Sequence, residues 1–161
     1  MNLSEVSGKI FKKHENNYIQ KHWLRVGIVG SRDFEDGDKI FDVVRTLKEK
    51  PKRITIVSGG CPKGADAFAK EAALQFGVPY REFTPEFRSP TVHTVQDEEK
   101  FEKKYSPHLF FKRNAELAEY CDLVIGFIPE EYVGDPNNAR GTKHTIECAR
   151  EEPDTKVMVL K

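Results

Sequence analysis

Short apolar runs alternate with amphipathic segments from residue 24 to residue 160. Nearly continuous apolar runs predict five buried strands, at residues 24–29, 54–57, 78–83, 123–128 and 156–160. Apolar residues at helical spacing predict four helices between them, around residues 40–47, 65–76, 115–121 and 142–150. Strands this apolar are covered on both faces, and their alternation with helices favours parallel pairing. The pattern therefore predicts an α/β fold with a doubly wound, mainly parallel five-stranded sheet and helices on both faces.

Two segments depart from this alternation of strands and helices. Residues 1–23 are polar with mixed charge, and they predict an N-terminal arm or helix whose aromatic residues cover a sheet edge or a partner subunit. Residues 24–161 form the predicted domain. Within it, residues 84–112 are long for a connection and carry five acidic and five basic residues. This insertion is either a solvated short helix in a loop or a lid over the strand ends.

Composition limits the classes of partner. The 161 residues include 26 Lys and Arg against 26 Asp and Glu, so the net charge is zero, which argues against a broad nucleic-acid surface but permits a local basic pocket. Cys61, Cys121 and Cys148 form no CxxC pair, so reduced thiols are expected rather than a disulfide framework or a zinc site. No run has signal-peptide or transmembrane character, so a cytoplasmic protein without a membrane partner is expected. No cofactor is implied, and the participation of a metal stays open.

The residues that follow the first strand are candidate ligand donors, because ligands bind such sheets beyond the carboxyl ends of the strands. Gly30 permits a tight turn, and Ser31 offers a hydroxyl group. Arg32 has a forked set of donors that suits phosphate or carboxylate. Asp33 either pairs with Arg32 or caps the following helix. The alternative interpretation is a plain turn with an Asp cap and a surface arginine.

A glycine-rich loop follows the second strand, with the sequence SGGCPKGAD. Its adjacent glycines expose backbone amide groups beside the positive end of the next helix, so a phosphate-binding loop is predicted here, although no Walker A motif is present. Asp66 is either a carboxylate that stabilises the first helical turn or an acceptor for ribose hydroxyl groups. The candidate residues of this loop are Ser58, Gly59, Gly60, Lys63, Gly64 and Asp66, and we expect Gly59, Gly60 and Gly64 to hold a phosphate.

Two further groups of residues complete the predicted site. Arg140, Gly141 and Thr142 open the fourth helix and offer charge, amide groups and a hydroxyl group to an anion. Arg113 and Asn114 precede the third helix, and their spacing alone favours a surface pair at the opposite edge of the sheet. The alternative is that the long preceding loop carries them back over the strand ends, where Asn114 is a candidate ligand-binding residue. Several groups of residues at one edge of the sheet can therefore donate hydrogen bonds to an anion. This favours a phosphate-bearing small molecule over an apolar ligand.

Four stretches in this order, VGIVGSRDF, VSGGCPKGAD, RNAELAEYCDLVIGF and RGTKHTIECA, resemble the SLOG superfamily over residues 24–150. These Rossmann-like domains include the DNA-processing protein DprA and the Lonely Guy (LOG) phosphoribohydrolases, and the resemblance is in particular to the small YspA-type single-domain members. The resemblance implies a Rossmann-like fold, a nucleotide or nucleotide-derived ligand, and assembly into a homodimer or a higher homo-oligomer.

The LOG enzymes also supply a catalytic comparison. Arg113 matches an arginine that helps those enzymes to cleave the N-glycosidic bond, and Gly141 and Thr142 match part of their PGGxGTxxE signature. The glutamate of this signature would fall three residues after Thr142, and His144 and Glu147, which lie on either side of that position, are the candidates to take its place. Cleavage of a ribosyl C–N bond needs a carboxylate to stabilise the oxocarbenium-like charge. The lack of a glutamate at the signature position weakens the prediction of catalysis by Arg113, Glu147 and His144 more than it weakens the prediction of ligand binding.

The sequence is therefore compatible with three functions. The favoured one is binding of a nucleotide or nucleotide-derived small molecule at the carboxyl edge of the sheet, by a sensor or sequestering protein. The alternative is a nucleoside 5′-monophosphate N-glycosidase that releases the free base. The third is DprA-like binding of single-stranded DNA, against which the zero net charge and the lack of interleaved aromatic and basic residues both count.

Overall fold

The computed structural model describes residues 23–85, 107–136 and 138–161. Residues 1–22 of the predicted arm and residues 86–106 of the predicted insertion lie outside this part of the chain. The lid was therefore predicted mainly for residues that the structure does not describe.

A single five-stranded, all-parallel sheet forms the centre of the domain, in the order β3-β2-β1-β4-β5. Val26 of β1 lies opposite Leu123 of β4, and Leu24 of β1 lies opposite Ile54 of β2. This arrangement confirms the predicted α/β fold with a parallel sheet. The strand bounds are β1 Leu24–Gly30, β2 Ile54–Ser58, β3 Tyr80–Glu82, β4 Leu123–Phe127 and β5 Lys156–Leu160.

Four α-helices accompany the sheet in the described residues: α1 Gly37–Lys48, α2 Gly64–Gln75, α3 Pro107–Tyr120 and α4 Arg140–Glu151. A short 3₁₀ turn spans Glu130–Tyr132. The third helix, predicted around residues 115–121, begins earlier in the structure, at Pro107, and so takes in the last residues of the segment 84–112. A proline is well suited to the first helical turn, where its missing N–H group is not needed.

Each face of the sheet buries a separate apolar core. Alternate strand residues, such as Val26 and Ile28, pack with Ile40 and Val44 of α1 and with the alanines of α2. Strand residues of the opposite parity pack with α3 and α4 to form the second core, which includes Val29, Val57, Leu117, Val124 and Ala149. Because strand side chains alternate between faces, apolar residues at nearly every position require helices on both sides.

The strand order locates the site. The chain moves outward from β1 to β3 and then crosses back to β4 on the other side of β1, so the loops after β1 and β4 diverge and leave a crevice between them. A crossover helix runs antiparallel to the strands, so α3 begins at the carboxyl edge. The expectation of Arg113 and Asn114 as a surface pair at the opposite edge is therefore wrong, and Asn114 is only 4% exposed.

None of the helices in the described part of the chain is long and apolar enough to span a membrane. The three cysteines are unpaired thiols in the structure: Cys121 is buried, and Cys61 and Cys148 are partly exposed.

Candidate functional site

A cavity of about 400 Å³ opens at the carboxyl edge of the sheet, in the crevice that the strand order creates. Its walls come from the loops after β1 and β2, from residues 110–117 of α3 and from the start of α4. Its volume lies in the range of small-molecule sites. The predicted site residues that line it are Gly30, Ser31, Arg32, Asp33, Gly59, Asp66, Arg113, Asn114, Arg140, Gly141 and Thr142.

The loop after β1 holds its own shape through local hydrogen bonds. The backbone N–H group of Asp33 donates to Oγ of Ser31 at 3.1 Å, and Oδ2 of Asp33 accepts from the hydroxyl group of Tyr132 at 3.4 Å. The helix cap predicted at Asp33 is instead Asp36, whose side chain accepts a hydrogen bond from the N–H group of Lys39. Asp33 is therefore available to face the cavity.

The glycine-rich loop after β2 satisfies several of its amide groups within the protein. The N–H group of Gly60 donates to Oγ of Ser58 at 3.3 Å, and the N–H group of Cys61 donates to Oδ2 of Asp66 at 3.1 Å. The N–H group of Ala65 donates to the carbonyl oxygen of Ser31 at 3.3 Å. These internal partners reduce what the loop offers to an anion.

Packing explains two of the glycines in this loop. A Cβ atom on Gly60 would lie 2.5 Å from the carboxyl carbon of Glu82, and a Cβ atom on Gly64 would collide with the carbonyl oxygen of Ser31. The φ angle of Gly64 is +70°, a conformation that side chains disfavour. A carboxylate beside Gly60 also disfavours a phosphate there. Predicted residues of this loop that do not line the cavity are Ser58, Gly60, Lys63 and Gly64.

The first turn of α4 has the opposite character. The helix follows Ala139, whose φ angle is +55°, and no side chain of the described residues caps it. The first helical hydrogen bond runs from the N–H group of Lys143 to the carbonyl oxygen of Ala139, so the amide groups of Arg140, Gly141 and Thr142 precede it. An uncapped helix start with an arginine at its positive end is electrostatically unfavourable alone and is suited to an anion.

Arg113 is held in place by the protein backbone. Its Nη1 atom donates to the carbonyl oxygens of Gly59 at 2.7 Å and of Phe83 at 3.1 Å, and its Nε atom donates to Oδ1 of Asn114 at 2.8 Å. Asn114 in turn donates through Nδ2 to the carbonyl oxygen of Gly141 at 3.3 Å. These bonds connect α3 to the end of β2 and to the start of α4, so they order two walls of the cavity.

Asp66 is the buried carboxylate of the cavity, with 9% of its surface exposed. Burial raises the pKa of Asp66 from 3.8 to about 6, against the lowering effects of the Cys61 N–H group and of the Arg113 charge, while Glu82 adds to the rise. A carboxyl group with this pKa changes its protonation state near neutral pH. It can therefore accept a hydrogen bond from a ligand or exchange a proton with it.

His144 and Glu147, two of the predicted catalytic residues, do not line the cavity. Nδ1 of His144 lies 3.4 Å from Nδ2 of Asn114, and the imidazole ring packs 4.5 Å from the ring of Phe111. Glu147 is exposed on α4. The structure thus brings Arg113 into the cavity without His144 or Glu147, and the carboxylates that do line it are Asp33 and Asp66.

Several residues that line the cavity were not predicted from the sequence. On α3, Phe110, Arg113, Asn114 and Leu117 recur at the i, i+3, i+4 and i+7 spacing of one helical face, so a helix begun at Pro107 would have predicted the aromatic member. No comparable sequence signal marks the loop positions. The lining residues that were missed are Val29, Cys61, Pro85, Phe110, Phe111, Leu117, Ala139 and Thr145.

Comparison with known proteins places the first part of the domain. Residues 24–89 match the family model YAcAr, described as the YspA, cpYpsA-related SLOG family. The match confirms the resemblance to the SLOG superfamily and to its YspA-type members. It covers β1 to β3, and therefore the loops that carry Arg32 and Asp66. Neither the curated proteins nor the solved structures yielded a match to this chain.

Proposed function

We propose that this protein, whose β1–β3 segment is of the YspA-related SLOG type, binds a nucleotide or nucleotide-derived small molecule as a sensor or sequestering protein. The family match supports a nucleotide-related small-molecule ligand in general terms. The observation that carries the proposal is the convergence of Arg32, Arg113 and Arg140, from three separate elements, on one cavity of a chain with zero net charge. A local concentration of arginine in a neutral protein favours a compact anion.

The proposed seat of the phosphate is the first turn of α4. Its leading amide groups precede the first helical hydrogen bond, and Arg140 and Thr142 add a guanidinium and a hydroxyl group. Thr142 is 7% exposed, so its hydroxyl group is largely shielded from competing water. The internal bonds and neighbouring carboxylates of the glycine-rich loop make Gly60 and Gly64 less suitable donors than this turn.

The carboxylates of the cavity suggest the rest of the ligand. Asp33 and Asp66 would repel a bare polyanion, but they accept hydrogen bonds from hydroxyl groups. A molecule with a phosphate at one end and a sugar in its middle matches this division of charge. Inorganic phosphate would fill only the basic part of the cavity.

A thermal-shift panel of mono-, di- and cyclic nucleotides tests the proposal, with inorganic phosphate as the comparison. We expect at least one nucleotide to raise the melting temperature in a saturable way, and the same nucleotide to lose its effect with Arg32→Ala. The absence of a response across the panel, with Arg32→Ala behaving like the wild type, would contradict the proposal.

The quaternary structure belongs to the same proposal. Following the SLOG resemblance, we propose that the chain forms a homodimer or a larger homo-oligomer, with residues 1–23 as an appended arm to the domain of residues 24–161. Sedimentation equilibrium measures the mass directly. A monomer at tens of micromolar protein would exclude the oligomer without affecting the binding proposal.

Asp66 favours a second candidate function, the N-glycosidase. The cavity contains a buried carboxylate next to Arg113, although Thr145 stands where the LOG signature has its glutamate. In such a reaction, water adds to C1′ of the ribose as the C1′–N bond breaks, and a proton of that water passes through Asp66 to the departing base. Chromatography of AMP incubations would detect free adenine. Activity that persists in both Arg113→Ala and Asp66→Asn would exclude these roles.

A further inference from the structure

Two adjacent aromatic residues of α3, Phe110 and Phe111, line the cavity, and we call them the aromatic wall. Phe111 is 42% exposed, which is unusual for a phenyl ring. The ring of Phe111 packs against His144 with 4.5 Å between centroids, so α4 supports it. The ring of Phe110 lies 5.7 Å from the guanidinium carbon of Arg113. Both rings are thus held in position while still lining the cavity.

The chemistry of the cavity is divided in space. The arginines and the α4 start provide donors for an anion, and Asp33 and Asp66 provide acceptors. The aromatic wall provides neither charged donors nor acceptors, and Leu117 lies on the same helical face as Phe110. Aromatic side chains in the same cavity as the phosphate seat suit a ligand that has an aromatic ring system at the end opposite its phosphate. Bases stack on such side chains because every base has a π-face.

We infer that the aromatic wall binds the base of the nucleotide by stacking, so that the site selects base-bearing phosphates over sugar phosphates. This inference rests on the proposed function and adds the part of the ligand that the wall recognises. Phe111 is the principal platform because its ring is the more exposed, and Phe110 extends the surface toward Arg113. The selection is for a planar base in general, since stacking tolerates different bases.

The test compares two ligands that share a ribose 5-phosphate unit, one with a base at C1′ and one with a hydroxyl group there. Calorimetric titration gives the dissociation constants of AMP and of ribose 5-phosphate for the wild type. Stacking on an aromatic side chain should make AMP bind about tenfold or more tightly than ribose 5-phosphate. This comparison needs no variant, so it does not depend on whether a substituted protein folds.

Variants then assign the preference to the wall. In Phe110→Ala/Phe111→Ala, the ratio of the two dissociation constants should fall close to one. Phe111→Tyr keeps a ring and should keep the ratio. Leu74→Ala is the matched control, because Leu74 is an exposed apolar residue of α2 outside the cavity.

The outcomes separate the inference from the proposal on which it rests. If AMP binds but the double variant keeps the wild-type ratio, or if the wild-type ratio is itself near one, the aromatic wall does not read the base and only the inference is overturned. If neither AMP nor any other nucleotide or sugar phosphate binds, the proposed function fails and the inference fails with it.

Discussion

The Nη1 atom of Arg113 donates a hydrogen bond to the carbonyl oxygen of Gly59, at 2.7 Å and across 54 residues of sequence. A Cβ atom on Gly59 would lie 2.7 Å from that same nitrogen and 3.1 Å from Oδ2 of Asp66. Gly59 is therefore the point at which an arginine of α3 docks on the end of β2. The arginine can approach the backbone this closely only because no side chain stands there.

Gly59→Ala should displace the guanidinium of Arg113 and weaken nucleotide binding. The atoms in the way belong to the end of a long side chain that can move, so the loss of folding stability should stay below about 1.5 kcal/mol. Calorimetry and urea denaturation measure the two effects separately. Gly134→Ala, where nothing lies within 4 Å of a new Cβ atom, is the control. Unchanged ligand affinity in Gly59→Ala would show that the position of Arg113 does not matter for binding.

Gly64 and Gly77 make a matched pair for the close approach of α2 to the β1 loop. Their φ angles are +70° and +66°, but only the Cβ atom at Gly64 would meet backbone, that of Ser31 and Arg32. Gly77→Ala should reduce the free energy of unfolding by about 1–2 kcal/mol, from the left-handed conformation alone. Gly64→Ala should lose roughly 1–3 kcal/mol more. Equal losses in denaturant titrations would mean that the contact at Gly64 relaxes freely.

Asp66 should make the folding stability depend on pH with a defined sign. The folded-state pKa, about 6, lies above the ordinary value of 3.8, so between these values the folded protein holds a proton that the unfolded chain releases. Stability from this group therefore falls as the pH rises from about 4 to above 6. At higher pH the burial of the charge costs roughly 3 kcal/mol at most.

Asp66→Asn removes this charge and retains an oxygen that can accept from the Cys61 N–H group. The variant should be more stable than the wild type at pH 8, and its advantage should shrink toward pH 4.5. Urea denaturation at the two pH values measures the difference. An advantage that is equal at both would place the titration of Asp66 outside this pH range.

Thr142 tests the proposed phosphate seat with two substitutions of similar size. Thr142→Val keeps the methyl group that faces Gly126 and removes only the hydroxyl group, so folding should change little while nucleotide binding weakens by about 1.5–3 kcal/mol, the usual range for a hydrogen bond to a charged group. Thr142→Ser keeps the hydroxyl group and should retain most of the affinity. If valine and serine bind the nucleotide equally well, the hydroxyl group does not contact the phosphate.

Local patterns were sufficient to predict most of the fold. The apolar runs at Ile54–Ser58 and Leu123–Phe127 are strands buried on both faces, and such runs between helical patterns are typical of parallel sheets. Gly77 ends α2 near its predicted position because a left-handed residue after a helix favours glycine. The start of α3 was missed because the polar residues before it resemble a solvated loop.

The candidate site was predictable where it follows from topology and not where it depends on packing. The strand ends that carry Arg32 and Asp66 meet because parallel strands place their carboxyl ends at one edge. The position of the Glu82 carboxylate beside Gly60 depends on the pairing of β3 with β2, which no local pattern indicates. The same limit applies to His144, whose contacts with Phe111 and Asn114 come from the packing of α4 on α3.

The central claim is that a nucleotide places its phosphate on the first turn of α4, and a matched pair of arginines on that helix tests it most directly. Arg140 lines the cavity at the start of α4, whereas Arg150 is exposed in its last turn. Calorimetric titration with the nucleotide that gives the largest thermal shift should show binding at one site per chain. Arg140→Ala should weaken it by at least about tenfold, and Arg150→Ala should leave it unchanged. Equal affinities for the two variants, or no binding to the wild type, would contradict the claim.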